Sequence, residues 1–133
     1  MKLITKQTDY AIRILSSMAR DSGNIQTTTI LAEKLKISKS FVRSILQKLN
    51  KESIVVSTKG KGGGFKLAVD LDNVFVASII KIFDGPVKFD NCLVRNNICP
   101  DALTCPLKKK LKEISNYINE EFGTLTLGSL LKQ

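Results

Sequence analysis

Between Thr8 and Arg20, Ile14, Leu15 and Met18 follow Ala11 at intervals of three, four and seven, which places all four on one face of a helix. Asp21-Ser22-Gly23-Asn24 stops that helix, and Gly23 suits the left-handed position past a last turn. The run Thr27-Thr28-Thr29 supplies capping hydroxyls for a short second helix through Leu31, Ala32 and Leu35. After a break at Lys36-Ile37, Ser38 is a good N-cap for a third helix running to about Asn50.

The third helix is the most informative. Phe41, Val42, Ile45, Leu46 and Leu49 fall on one side, at the offsets of a buried face. Lys39, Ser40, Arg43, Ser44, Gln47 and Lys48 fall on the other, and that side carries no acid. An ordinary solvated helix mixes signs; a polar face with only positive charge suits phosphates and base edges. Ile54-Val55-Val56-Ser57-Thr58 then reads as a strand and Phe65-Lys66-Leu67-Ala68-Val69 as a second, joined through Lys59-Gly60-Lys61-Gly62-Gly63-Gly64. Two short helices, the second with a basic outer face, followed by a two-stranded wing tipped with lysines, match a winged helix-turn-helix. The glycine run is not a nucleotide phosphate loop, because no Lys-Ser or Lys-Thr follows it, and no βαβ unit surrounds it. A plain flexible hairpin is the alternative.

Past the wing, Asn73 is a candidate cap for a helix in which Val76, Ile80 and Phe83 share a face, and Asp84-Gly85-Pro86 ends it. Residues 87–106 show little periodicity. Leu107, Leu111, Ile114 and Ile118 then recur at four, three and four, as a seam for a partner helix, with Lys108, Lys109, Lys110, Lys112 and Glu113 around it. A second copy of the chain is the expected partner, giving a two-fold homodimer; packing against the first helix of the same chain is the compatible alternative. A short terminal helix is expected within Leu125 to Leu131. The organisation predicted is mainly α with a small β-wing: a winged helix-turn-helix over 1–72, then a segment over 73–133 with a loop and a long C-terminal dimerisation helix.

Composition narrows the functional classes. With 133 residues, 43% of them hydrophobic and 25% charged, the chain can bury a single core and is neither disordered nor collagenous. Its longest nearly apolar stretch, Val74 to Ile80, already contains Ser78 and falls far short of the ~20 residues of a spanning helix, so no membrane partner is expected. The opening MKLITKQTDY has no apolar signal core, which predicts a cytoplasmic location. Lys and Arg outnumber Asp and Glu by 21 to 12, and the resulting charge of +9 suggests a polyanion, double-stranded DNA given the third helix, against the plainer reading of a soluble basic surface. The histidine count is 0, which excludes a Ser-His-Asp triad and histidine metal ligands. No acid–base constellation is evident, so no enzymatic activity is expected.

Three cysteines, Cys92, Cys99 and Cys105, are separated by six and five intervening residues. An odd number in a cytosolic chain argues against a disulfide framework. Structural zinc sites use close cysteine pairs and four protein ligands, which this chain does not offer. Wider spacing fits a bulkier group such as an iron–sulfur cluster, against the plain reading of three small hydrophobes in a loop. Pro106 suits the first position of the last helix, which would put the Cys105 sulfur at a helix N-terminus, where a thiolate is favoured.

The order of these features, with Gly60-Lys61-Gly62-Gly63-Gly64-Phe65, Phe83-Asp84-Gly85-Pro86 and the span Cys99 to Leu107, resembles the IscR, NsrR and RirA group of bacterial transcription regulators over essentially the whole chain. The resemblance implies a homodimeric winged-helix protein on a palindromic operator, with a 4Fe–4S or 2Fe–2S cluster whose state sets DNA affinity. It implies Cys92, Cys99 and Cys105 as cluster ligands. Loss, oxidation or nitrosylation of the cluster would then reposition the loop before the dimer helix. The first cysteine interval is one residue longer here than in the best-known members. IscR-like proteins take a histidine as fourth ligand, which this chain lacks; NsrR-like proteins use an aspartate in the first helix, and Thr8-Asp9-Tyr10-Ala11 matches that pattern at Asp9, donated from the partner subunit. An acid complementing the helix dipole is the plainer role for Asp9. IscR-like members have a glutamate where Arg43 stands, so their operator does not carry over. Cysteine-metabolism regulators of this group lack the cluster cysteines, which argues against that branch. The expected DNA contacts are Thr28, Ser38, Lys39, Ser40 and Arg43 in the major groove, with Lys59 and Lys61 on minor-groove or backbone phosphates. A cluster-free thiol switch and a small iron–sulfur electron carrier are the alternatives.

Overall fold

In the computed structural model, which describes residues 3–21, 23–88 and 104–132, helix α1 (Lys6–Arg20) buries Thr8, Ala11, Ile14, Leu15 and Met18. It starts two residues before Thr8, because its first turn is capped from elsewhere in the chain. Thr5 makes no side-chain cap bond. Instead the Asp84 carboxylate accepts the Thr5 N–H at 3.1 Å and the hydroxyls of Thr5 and Thr8 at 2.6 and 2.7 Å. Gly23, at φ 87°, turns the chain away after α1.

Helix α2 (Thr28–Leu35) is capped by Thr27, whose Oγ1 accepts the Ile30 N–H. Lys36 takes the left-handed conformation (φ 56°) and makes the tight turn into α3 (Lys39–Lys51). Ser38 Oγ accepts the Phe41 N–H at 3.2 Å. Val42, Ile45, Leu46 and Leu49 of α3 are fully buried, and Phe41 is half-buried against Tyr10.

Strands β1 (Val55–Thr58) and β2 (Gly64–Leu67) pair antiparallel, Val55 opposite Leu67 and Thr58 opposite Gly64. The tip turns through Gly60 and Gly62, both at positive φ, and the Gly63 N–H donates to Gly60 O. Gln26 adds a third chain to this wing through an antiparallel bridge with Phe65, two bonds of 2.8 Å. The approach is so close that a Cβ at Gly64 would lie 2.7 Å from Gln26 O.

A single 3₁₀ turn, Leu71–Asn73, follows, capped by Asp70. Asn73 belongs to that turn and does not cap α4 (Val76–Phe83), contrary to the expectation from sequence. The first donor of α4 is satisfied across the fold: the Val76 N–H donates to Leu125 O, and the Leu127 N–H to Val74 O, each at 2.8 Å. Helix α4 ends at Asp84-Gly85, with Gly85 at φ 74°. Helix α5 (Pro106–Thr124) lies against α4, while Leu107 and Ile114 of its seam stay exposed. The Asn119 side chain clasps the backbone of Val87 from both sides, at 3.1 and 2.9 Å. Helix α6 (Leu127–Leu131) returns to the 3₁₀ turn and to α1, and its Leu127 is buried. One hydrophobic cluster therefore joins α1, α2, α3, β1, α4 and Leu127. No helix of the described residues is long and apolar enough to cross a membrane.

Candidate nucleic-acid interface

Burial of Val42, Ile45, Leu46 and Leu49 fixes which side of α3 faces water. Lys39, Ser40, Arg43, Ser44, Gln47 and Lys48 all lie exposed on that side. Lys59 and Lys61 are exposed on the wing tip. Among the described residues none of the ion pairs involves Lys39, Arg43, Lys59 or Lys61. Positive charge that folding leaves uncompensated is what attracts and orders a polyanion.

The other expected contacts differ in what they have to offer. Ser38 is exposed, but its hydroxyl is already engaged in capping α3 and lies 3.4 Å from the Ser40 hydroxyl. Thr28 is half-exposed at the first position of α2, while its neighbour Thr27 does the capping. Lys48 turns towards the body of the protein, donating to Gln7 Oε1 at 3.2 Å and lying over the Phe83 ring at 5.3 Å.

A group of residues that sequence reasoning missed flanks α3. Tyr10 and Phe41 meet edge to face with ring centroids 5.6 Å apart. Lys6 Nζ lies 5.9 Å from the Tyr10 centroid and 5.7 Å from that of Phe41, and Arg13 Cζ lies 5.5 Å from the Tyr10 centroid. The i, i+4 spacing of Lys6 and Tyr10 is visible in the sequence; their meeting with Phe41 is not.

Asp84 is the electrostatic hinge of this side. Partial burial acts to raise its pKa, but hydrogen bonds from Thr5 and Thr8 and the nearby Lys48 charge outweigh it and hold the carboxyl below its ordinary value. Asp9, in the first turn of α1, is exposed and pairs with Arg13 at 3.1 Å, the expected partner for an acid at i and a base at i+4.

Cys105 is the N-cap residue of α5, with Pro106 at the first helical position and no cap bond from its side chain. Its thiol is free and half-buried. Cys92 and Cys99 lie outside the described residues. Among the described residues no group of three or more histidine, cysteine or acidic side chains is gathered for a metal.

Three comparisons bear on this surface. Residues 4–133 match the Rrf2 family, described as iron-dependent transcriptional regulators. The chain is similar to the HTH-type transcriptional regulator NsrR of Bacillus subtilis, 29% identical over 134 residues, covering 99% of this chain and 91% of that one. It is similar to the HTH-type transcriptional regulator IscR of Vibrio campbellii, 28% identical over 133 residues, 99% of this chain and 78% of that one. In fold it resembles the structure of CymR, the global cysteine regulator of B. subtilis, with a TM-score of 0.78 at 20% identity over 99% of this chain and 98% of that one.

Proposed function

The chain belongs to the Rrf2 family of iron-dependent transcriptional regulators, and from that premise we propose that it is a homodimer whose affinity for a palindromic operator is set by an iron–sulfur cluster. Helix α3 enters the major groove, with Lys39, Ser40 and Arg43 at base edges and Ser38 and Thr28 at its margin. Lys59 and Lys61 hold backbone phosphates or the minor groove. The observation that carries this reading is the acid-free outer face of α3 beside a lysine-tipped wing, its cations Lys39, Arg43, Lys59 and Lys61 outside every described ion pair. Membership of a family of regulators sets aside the electron carrier and leaves no ground for an enzyme.

The donor set fits a cluster. Three thiolates are soft, anionic ligands of the kind iron–sulfur centres take, and Cys105 has no structural hydrogen bond to give up. Cys92, Cys99 and Cys105 would hold a 4Fe–4S or 2Fe–2S cluster, which supplies iron reactive towards nitric oxide, oxygen or a chelator. Asp9 of the partner subunit is the proposed fourth ligand, and to serve it must leave Arg13. Similarity to proteins named NsrR and IscR supports the cluster, and exposed Leu107, Ile114 and Tyr117 on α5 support the dimer.

Anaerobic purification tests this directly. Brown protein with stoichiometric iron and sulfide, bleached by any of Cys92→Ser, Cys99→Ser or Cys105→Ser, is expected; zinc alone overturns it. Asp9→Ala is expected to speed iron loss to a chelator, and an unchanged spectrum and chelation rate removes Asp9 from the site. A second reading, a thiol switch, draws on the same placement of Cys105. It requires iron-free protein whose DNA affinity toggles with an oxidant and a reductant.

A further inference from the structure

The faces of α3 are not equivalent. At 3.6 residues per turn, Val42, Ile45, Leu46 and Leu49 point inward, and Ser40, Ser44 and Gln47 stand directly opposite. Lys39 and Arg43 fall on one flank of that outward stripe. Phe41 and Lys48 fall on the other flank, where the first turn of α1 lies against them through Tyr10 and Gln7.

Here Lys6 has an unusual setting. Its ammonium is held 5.7 Å from the Phe41 ring and 5.9 Å from the Tyr10 ring. Rings of this kind attract a cation by about 0.5–1 kcal/mol at exposed sites without neutralising it. Two acids of α1's first turns and its cap are otherwise engaged: Asp9 with Arg13, and Asp84 with Thr5 and Thr8. The side chain is exposed and joins no described ion pair. Because Tyr10 and Phe41 lock edge to face, and Asp84 fixes the start of α1, the charge stands in a set place beside the first turn of α3.

We propose that Lys6 is part of the DNA interface and grips a backbone phosphate on the wall of the major groove beside the Phe41 flank of α3. The inference rests on α3 as the helix that enters the groove. A helix with its side chains is about 10–12 Å wide and the groove about 12 Å, so a cation one ring-width off the flank of α3 meets the wall, where the phosphates are, and not the floor. Tyr10 and Phe41 are positioning residues, holding the ammonium so that little side-chain freedom is lost when it binds. The contact fixes how deeply and at what angle α3 sits, and carries no base preference.

The test uses the full-length protein, a genomic duplex recovered by the wild type, and an unrelated duplex of equal length. Anisotropy titrations over a range of salt give the slope of log affinity against log salt. Lys6→Gln is expected to make the slope shallower by about two units, one phosphate from each protomer, and to weaken both duplexes by the same factor. Lys6→Arg, which keeps the charge, is expected to restore the wild-type slope. Lys110→Gln on α5 serves as the control and leaves the slope unchanged. Lys6→Gln with a wild-type slope and an unchanged melting temperature, or with a loss confined to the genomic duplex, overturns the role of Lys6 alone. Wild-type protein that recovers no duplex at low salt overturns both this inference and the reading beneath it.

Discussion

Helices α3 and α5 are both amphipathic by sequence, and they use that property in opposite ways. Helix α3 spends its whole apolar face on its own chain, with four fully buried residues in 13. Helix α5, at 19 residues, buries only Ser115 and leaves Leu107, Ile114 and Tyr117 exposed by 67, 40 and 63%. What α3 presents to solvent is polar and positively charged, whereas α5 presents apolar side chains among its lysines and glutamates. Charge on a rigid, self-sufficient helix is suited to a polyanion that comes and goes. Apolar surface of that extent is costly in water and is relieved by a permanent partner. One helix is finished by its own fold; the other keeps an exposed apolar face that the second copy in the proposed dimer would cover.

The sharpest way to break this contrast is to truncate each helix. Ile45→Ala on α3 is expected to cost about 2–5 kcal/mol in urea unfolding, as a fully enclosed side chain does. Leu107→Ala on α5, measured where the protein is monomeric, is expected to stay within about 0.5 kcal/mol. Equal losses would mean that α5 is part of the chain's own core.

Placing charge on the exposed seam should separate assembly from folding. Ile114→Asp with Tyr117→Asp is expected to raise the dimer dissociation constant at least a hundredfold in sedimentation, about 2.7 kcal/mol, with far-ultraviolet circular dichroism unchanged. A dimer of unaltered affinity would place the partner elsewhere.

On α3 the prediction concerns discrimination. Arg43→Ala is expected to narrow the gap between operator and unrelated DNA by about 1–3 kcal/mol. Removing Lys59 and Lys61 together should weaken every duplex alike. Competition binding distinguishes the two patterns, and a uniform loss from Arg43→Ala would reduce it to a phosphate contact.

The smallest effect is at the hinge between the two regions. Asp84→Asn, which weakens the cap on α1, is expected to cost about 1 kcal/mol near neutral pH. The folded pKa of Asp84 lies below its unfolded value, so the stabilisation is fully present above the ordinary carboxylate range and is lost as pH falls through the lowered value. Thermal melts of variant and wild type should therefore converge in acid; a constant gap would show that the carboxylate charge is not what matters.

Which parts of this could be read from the sequence follows from distance along the chain. Helix α3, its Ser38 cap and the glycine-turned wing are local: periodicity, a hydroxyl and positive-φ positions within a few residues specify them. Asn73 does not cap α4 because the first donor of that helix, the Val76 N–H, is satisfied by Leu125, about fifty positions away. The Gln26–Phe65 bridge and the Asp84 cap on Thr5 and Thr8 are non-local for the same reason. Lys36 in a left-handed turn was hidden because lysine does not advertise that conformation as glycine does. Of the candidate site, Arg43, Lys39, Lys59 and Lys61 were legible, since burial on one side of an element decides exposure on the other. The setting of Lys6 was not, because it is made by rings on two helices. Asp9 stood out by its neighbours Thr8 and Tyr10 alone, and its observed partner is the base one turn on.

The bridge between Phe75 and Thr126 also orders events in time. It sets Leu127 into the cluster that backs α1 and α4, so the interior stays open until that residue has been made. During synthesis, the cysteine segment and α5 emerge before the core behind α3 can close. On the proposed reading, a nascent chain therefore presents its three thiols before the outer face of α3 is finished, so that the cluster would be loaded ahead of the first search for an operator.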